Sequence, residues 1–469
     1  MRNRALFGGL TAAGAAWLAA SAIAQAGVVE DHYGKWMGKL SIPGGPTLRF
    51  GVEFLARADG TPGGRLVSPD QGDFDVPLDR VTATNAAIEA DADIVGIRLR
   101  LHPNGDRLEG EALQGPLTLP MSLARSEDIG EPRRPQSPKG PFPYRTEGLS
   151  VTRKDGVVLA GELSRPTGDR PVTAIVLLHG SGPTDRDESI DGHRIFAVLA
   201  DYLTRQGFAV YRYDKRGVMR STGDYLQATE TDFEGDALAA VEALRARKDI
   251  ARVGVLGHSE GGLLAAWLAA EHPEEVAFAV SLAGPGLKGK DLILLQDRVG
   301  DERRGLSQAQ VATLMAYGER FYDLVIANAD PAERLKALAA LQQSLSGADR
   351  ALVRQYASQG SLNPGMAAAP ALRQLLLSDA PAYWRRVKCP VLALGGDLDV
   401  QVPARENLEA IRRSLAQGGN RRAEIQSLPG LNHLFQDAGT GLPDEYARID
   451  ETISPIVLAR VAQFLEHQP

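Results

Sequence analysis

The stretch VGVLGHSEGG, Val253 to Gly262, decides how this chain is read. An apolar run ends at Gly257-His258-Ser259-Glu260-Gly261, and the helix-compatible run LLAAWLAAEHP follows it. Structural economy does not explain a serine set among glycines, which form helices and strands poorly. Reactivity does. A serine that attacks a carbonyl must stand clear of a sheet on a tight, strained turn, and glycines two positions to either side keep the backbone from colliding there. The pattern G-x-S-x-G between a strand and a helix therefore predicts a nucleophile at Ser259. The plainer alternative, a glycine-rich loop with an incidental serine, leaves the strand–turn–helix setting unexplained.

A serine hydroxyl needs a base, and the base needs an orienting acid. In chain order the expected helpers are an Asp or Glu and then a His. Three histidines lie downstream. His272 sits beside Pro273 at a helix end and reads as a surface residue, and His467 is the third residue from the C-terminal end, where chains fray. His433, in LPGLNHLFQD, follows the strand-like AEIQSL and a Pro-Gly turn, a strand-end loop where functional groups of open α/β sheets gather. The acid belongs on a similar loop, and GGDLDVQVP offers Asp397 and Asp399, which spacing does not separate. A developing oxyanion needs donors. The backbone N–H of Glu260, next to the nucleophile, is one, and that of Ser181 in HGSGPTDRD is the expected second. His179 is expected to bond the loop backbone.

Outward from this site the chain alternates strands and helices. VTAIVLLHG, FAVYRYD, RVGVLG, VAFAVSLAG, PVLALGG and AEIQSL read as strands, with RIFAVLADYLTRQG and DALAAVEALRAR as helices. The pattern predicts an α/β fold with a mainly parallel sheet wrapped by helices. Between about 287 and 386 no strand run occurs, and amphipathic segments predict a helical cap inserted between two core strands. Residues 28–127 differ. Leu48, Phe50, Val52 and Phe54 alternate with Arg49, Gly51 and Glu53, as Val95, Ile97, Leu99 and Leu101 do with polar partners. That period of two, with a turn at Pro103-Asn104-Gly105-Asp106, predicts a small antiparallel β sandwich or barrel without a catalytic cluster. Residues 128–143 hold five prolines and read as an extended linker to the catalytic region 144–469.

Composition narrows the function classes. The 469 residues carry a net charge of −7 with no basic stripe, which argues against nucleic acid as a partner. No histidine or cysteine spacing resembles a metal-ligand set, and no cofactor is expected. The single cysteine, Cys389, reads as a small buried residue at a strand start. Arg2 and Arg4, the apolar run from Ala5 to Ile23 and Ala24-Gln25-Ala26 read as an export signal cleaved after Ala26. The expectation is a periplasmic or extracellular protein without a membrane anchor after cleavage. Its oligomeric state stays open.

HGSGPTDRD, YDKRGVMRSTG, GHSEGG, GGDLDVQVP and GLNHLF together resemble the α/β-hydrolase superfamily, from about Tyr144 to the C-terminus. Within it the chain is most similar to bacterial exported esterases and serine-aminopeptidase-like hydrolases that carry an extra N-terminal β domain. The family's G-x-x-D-x-x-V-P pattern falls on Asp399 rather than Asp397. YDKRGVMRSTG departs by carrying Met219-Arg220 where the family usually has a glycine. The resemblance implies hydrolysis of a small-molecule ester or amide through an acyl-enzyme. An ester hydrolase is the first expectation. A serine aminopeptidase or amidase is the second, with Asp291, Asp297, Asp301, Glu302, Glu319 and Asp323 of the cap as possible anchors for a substrate amine. A non-catalytic binding protein built on a relic core is the third.

Overall fold

The computed structural model describes residues 32–468, apart from 44, 72–73, 84–86, 131–133, 357–361, 363–366 and 368–369. The export signal expected over 1–26 lies outside the described residues. The chain divides into two compact units, Met1–Glu131 and Pro132–Pro469.

The first unit is one nine-stranded antiparallel sheet: β1 (Gly34–Ser41), β2 (Thr47–Ala56), β3 (Pro62–Ser68), β4 (Phe74–Pro77), β5 (Arg80–Ala83), β6 (Ile88–Ala92), β7 (Ile97–Asn104), β8 (Arg107–Gln114) and β9 (Leu117–Ser126). Its order is β4-β3-β2-β1-β9-β8-β7-β6-β5. The two edge strands, β4 and β5, are neighbours in sequence, joined by Leu78 and Asp79 alone. Such a sheet cannot lie flat, because its far edges are covalently tied; it curls, and of the two expected forms it takes the barrel-like one. Leu78 is fully buried and its N–H donates to the Gly64 carbonyl of β3 at 2.8 Å. Trp36, Val52, Phe54, Leu66, Leu99 and Leu123 fill the interior. The β7–β8 hairpin closes on Gly105-Asp106 with Asn104 opposite Arg107. One expectation fails: Val95 does not join the β7 alternation but lies in a single 3-10 turn, Asp93–Val95, that Gly96 ends.

The second unit has the expected α/β architecture. Its strands are β10 (Tyr144–Thr152), β11 (Val158–Pro166), β12 (Val172–Leu178), a two-residue hairpin β13–β14 (Ser189–Ile190 and His193–Arg194), β15 (Ala209–Tyr213), β16 (Ile250–His258), β17 (Ala279–Leu282), β18 (Val391–Gly396) and β19 (Ala423–Leu428). The main sheet runs β10-β11-β15-β12-β16-β17-β18-β19. From β15 through β12 to β19 every pairing is parallel. The continuous apolar run of β12 follows from this burial on both sides. Ala174, Val176 and Leu178 face one core with the helices Glu230–Arg245 and Glu260–Glu271, while Ile175 and Leu177 face another with Ile195–Arg205 and Pro455–Glu466.

Between β17 and β18 the chain is helical among the described residues. Ile293, Leu314, Phe321, Leu338, Leu372 and Leu376 form a separate apolar cluster, the cap's own core. The last helix of the stretch, Ala380–Arg386, is not part of it. Its Trp384 is fully buried in the main core, and the indole N–H donates to the Pro285 carbonyl at 2.9 Å. Part of the proline-rich stretch also packs within this unit. The buried Arg134 side chain donates to the carbonyls of Asp191, Ala447 and Ile449, and Gln136 bonds Thr452 and Ile453. Cys389 is buried as expected, and burial pushes its thiol up to about 11.

Candidate active site

Ser259 follows β16 directly and precedes the helix Glu260–Glu271, on a backbone of φ 55° and ψ −123°. A non-glycine residue at positive φ is strained, and here the surroundings hold it. Its N–H donates to the Leu282 carbonyl at the end of β17, and its carbonyl accepts from Gly262. The turn is possible because glycines flank it. A Cβ on Gly257 would lie 1.8 Å from the Gly261 carbonyl oxygen, and one on Gly261 would lie 1.9 Å from that of Leu178. The helix thus starts against the end of β12 with no room for any side chain. Ser259 stays half-buried.

His433 lies in the loop after β19. Asn432 anchors the loop, its amide oxygen accepting from the N–H groups of Leu434 and Gln436. The His433 Nε2 stands 3.0 Å from the Ser259 Oγ. Its Nδ1 stands 2.8 Å from Asp399 Oδ2. The other oxygen of Asp399 accepts from the backbone N–H groups of Gln401 and Val402 at 2.8 and 2.9 Å. Asp399 is buried. Asp397, two residues earlier, turns away and accepts from the Gly430 N–H at 2.7 Å. The structure therefore brings Ser259, His433 and Asp399 into one hydrogen-bonded chain and leaves His272 and His467 elsewhere. His272 bonds Glu234, and His467 bonds a carbonyl of its own helix.

Glu260 is the residue after Ser259, and the loop bearing Ser181 runs close to Ser259. A Cβ on Gly180 would lie 3.1 Å from the Ser259 Cβ. Among the described residues neither N–H is spent on another acceptor.

The loop of Ser181 is fixed by ions that sequence reasoning did not single out. Arg186 pairs with Asp214 at 2.7 Å, and Asp187 pairs with Arg194 and Arg212. Glu188, fully buried at φ 49°, accepts from the Gly180 N–H at 2.5 Å and faces His258 Nδ1 at 3.2 Å. His258 in turn bonds the His433 carbonyl through Nε2 at 2.9 Å. Burial alone would lower the His258 pKa, but the Glu188 carboxylate and the His433 carbonyl outweigh it, so the ring is held above its ordinary value. Lys215, also buried, donates to the carbonyls of Gly180 and Gly182 at 2.6 and 3.1 Å and lies 3.5 Å from Glu260. The one signal in the sequence was the run Asp185-Arg186-Asp187-Glu188 directly after a glycine-rich turn. In YDKRGVMRSTG the place where the family usually has glycine is taken by Met219 at φ 47°, a left-handed backbone kept by a side chain that disfavours it.

His179 is fully enclosed, packed against Phe196 and Tyr213, with the backbone of Asp185 and of Tyr213 close to its ring. Burial, helped by Lys215, depresses its pKa to about 3, and burial depresses that of His193 to about 4. Both rings are neutral in the fold, whereas in the unfolded chain they take up protons below about pH 6.5. Stability from these groups is therefore complete above that pH and is lost as the pH falls toward 4 and 3. For His179 the loss at pH 5 is on the order of 2 kcal/mol. Urea unfolding of the wild type and of His179→Phe at pH 7 and pH 5 checks this; an equal change between the two pH values in both proteins would contradict it.

The acids of the cap offered as possible amine anchors are each paired or exposed. Asp297 accepts from the Tyr322 hydroxyl, Asp301 pairs with Arg304, and Asp323 pairs with Lys290. Asp291, Glu302 and Glu319 are exposed. No cluster of His, Cys, Asp and Glu suited to a metal occurs among the described residues, and no helix there is long and apolar enough to cross a membrane.

Esterase EstD of Thermotoga maritima is 41% identical over 125 residues, which is 26% of this chain and 30% of that protein's own length. A Pyrococcus furiosus esterase structure is 18% identical, covering 69% of this chain and 92% of its own, with a TM-score of 0.42. A proline iminopeptidase of Mycobacterium smegmatis is 19% identical, covering 69% and 98%, also with a TM-score of 0.42. The family model described as serine aminopeptidase, S33, matches residues 169–437, from before β12 to past His433 and more than half of the chain. On that match, the chain belongs to the S33 serine aminopeptidase family of hydrolases.

Proposed function

We propose that this protein is a serine hydrolase that cleaves carboxylic esters through an acyl-enzyme. Ser259 is the nucleophile, His433 the general base, Asp399 the orienting acid, and the N–H groups of Ser181 and Glu260 the oxyanion donors. The observation that carries the reading is the chain of contacts from Asp399 through His433 to the half-buried Ser259 hydroxyl, at 2.8 and 3.0 Å.

In this mechanism the Ser259 proton passes to His433 Nε2 as Oγ bonds to the ester carbonyl carbon. Asp399, bonded to Nδ1, fixes the tautomer and stabilises the imidazolium. The carbonyl oxygen becomes an anion facing the two backbone donors. Collapse breaks the carbon–oxygen bond to the alcohol, which leaves with the proton from His433. Water then gives its proton to His433, attacks the acyl carbon and releases the acid, and the proton returns to Ser259. The matched esterase of Thermotoga maritima supports ester substrates over a short segment only.

One observation bears on an aminopeptidase instead. Glu230 has a buried carboxyl oxygen without a partner and lies within electrostatic reach of Glu260. Burial, and then Glu260, raise its pKa to about 8, so at pH 7 it is mainly neutral. Glu260 is already partnered by Lys215. An ammonium group bound beside Glu230 would itself favour the ionised carboxylate, so this acid keeps an aminopeptidase as the second reading.

The test is a panel of 4-nitrophenyl esters of short and long acids against amino-acyl 4-nitroanilides, with Ser259→Ala as control. Ester turnover that depends on Ser259 is expected, with nitroanilides at least about 100-fold slower in kcat/KM, near 2.7 kcal/mol of discrimination. Cleavage of nitroanilides but not esters would move the assignment to the peptidase. Absence of Ser259-dependent turnover on either would point to a binding protein.

A further inference from the structure

The site just described rests on a loop whose central residue, Gly180, is held through both of its flanking peptides. The Gly180 N–H donates to the Glu188 carboxylate at 2.5 Å, and the Gly180 carbonyl accepts from the Lys215 ammonium at 2.6 Å. That carbonyl shares its peptide plane with the N–H of Ser181. In a trans peptide the two point in opposite directions. Fixing the carbonyl on Lys215 therefore fixes where the Ser181 N–H points, and the loop that bears it passes within contact of Ser259.

We propose that Glu188 and Lys215 are positioning residues that clamp Gly180 between opposite charges and so preset the Ser181 N–H for the oxyanion. The proposal rests on the serine-hydrolase reading above. Three features of the two side chains favour it over a purely structural role. First, both are expensive to bury: Glu188 is fully inaccessible and Lys215 is 3% exposed. Second, they do not neutralise each other directly. Lys215 spends its donors on two loop carbonyls, Gly180 and Gly182, and on Glu260 at 3.5 Å. It lies over the ring of Phe233, at 4.8 Å, and further from that of Tyr225, which shields it from water. Third, the same Glu188 oxygen reaches His258, whose other nitrogen holds the His433 carbonyl. One carboxylate thus ties the oxyanion loop to the backbone of the base. Glu188 itself sits at φ 49°, a conformation with no local benefit for a glutamate.

Oxyanion donors act on the transition state and little on the ground state. Loss of one such donor lowers kcat by about 10²–10³-fold, and a donor that is present but misaimed should lose part of that. Lys215→Met keeps the length and apolar stem of the side chain and removes the charge. The expected result on a 4-nitrophenyl ester is a fall in kcat of about 10- to 100-fold, with KM changed by less than about threefold. A trifluoromethyl ketone, which forms a tetrahedral adduct on Ser259 and needs the same donors, should lose affinity in proportion to kcat/KM. Glu188→Gln, equal in size with a weaker neutral acceptor, should move the same quantities in the same direction. Should Lys215→Met fail to fold by circular dichroism, Glu188→Gln decides on these readouts alone. An unchanged kcat, an effect confined to KM, or a fall in kcat without loss of ketone affinity overturns the clamp. Ser259→Ala runs beside them. Activity that survives in Ser259→Ala sinks the nucleophile assignment and the clamp with it, whereas a dead Ser259→Ala beside a fully active Lys215→Met sinks the clamp alone.

Discussion

Ester hydrolysis is expected to fall by about 10⁶-fold in kcat when Ser259 is replaced by alanine, and no further when His433→Ala is added. Groups that act as one unit fail together. Once the nucleophile is gone, the base at 3.0 Å has no proton to take. Asp399→Asn should lower kcat by about 10⁴-fold with the fold intact. Its Oδ2 accepts from His433 Nδ1, and an amide placed there can present a donor and turn the imidazole into the wrong tautomer. Asp397→Asn is the control. Its Oδ1 accepts from the Gly430 N–H, a bond an asparagine oxygen also makes, so kcat should stay within about twofold. Steady-state rates on one nitrophenyl ester with parallel melting curves decide the matter. A larger loss at Asp397 than at Asp399 would reverse the assignment of the acid.

The second large effect lies in the backbone. Gly261→Ala should destabilise the protein by about 4 kcal/mol or more, a value reserved for severe core faults. The added methyl would stand 1.9 Å from the Leu178 carbonyl oxygen and 2.8 Å from that of His179, and neither backbone atom can swing aside. Relief requires the helix Glu260–Glu271 to back away from the end of β12. That same movement withdraws the Glu260 N–H and tilts Ser259, so activity should be lost along with stability. Gly148→Ala, on β10 with nothing within 4 Å of the new methyl, should stay within about 0.5 kcal/mol. Chemical denaturation of both variants tests the contrast. Wild-type stability in Gly261→Ala would mean that helix and strand do not meet as closely as described.

Several features of the molecule were open to reading before any coordinates. The strand–turn–helix around Ser259 is local: an apolar run, a glycine-framed serine and a helical period, all within twenty residues. The two kinds of sheet were legible for the same reason. Alternation in the first unit means one buried face, and the unbroken apolar run of β12 means two. His433 could be reached because few histidines follow Ser259. Separating Asp399 from Asp397 took the resemblance to a family, since two acids two residues apart look alike in a pattern. Alternation places Val95 in a strand, yet it lies outside one because the left-handed backbone of Gly96 breaks the pleat without altering the spacing of apolar residues.

By itself, then, the sequence determined the alternating α/β plan, the helical insertion, the separate β unit and the serine turn, because each is written in the periodicity of neighbouring residues. What only the tertiary structure decided is which distant groups meet. Glu188 reaches His258 across 70 residues of chain, and His258 reaches the His433 carbonyl across 175. These meetings occur because parallel strands from separate parts of the chain end along one edge of the sheet, and their loops converge there whatever their order in sequence. No local pattern encodes that convergence. The charges of Glu188 and Lys215 looked like ordinary loop polarity until the fold enclosed them against one glycine.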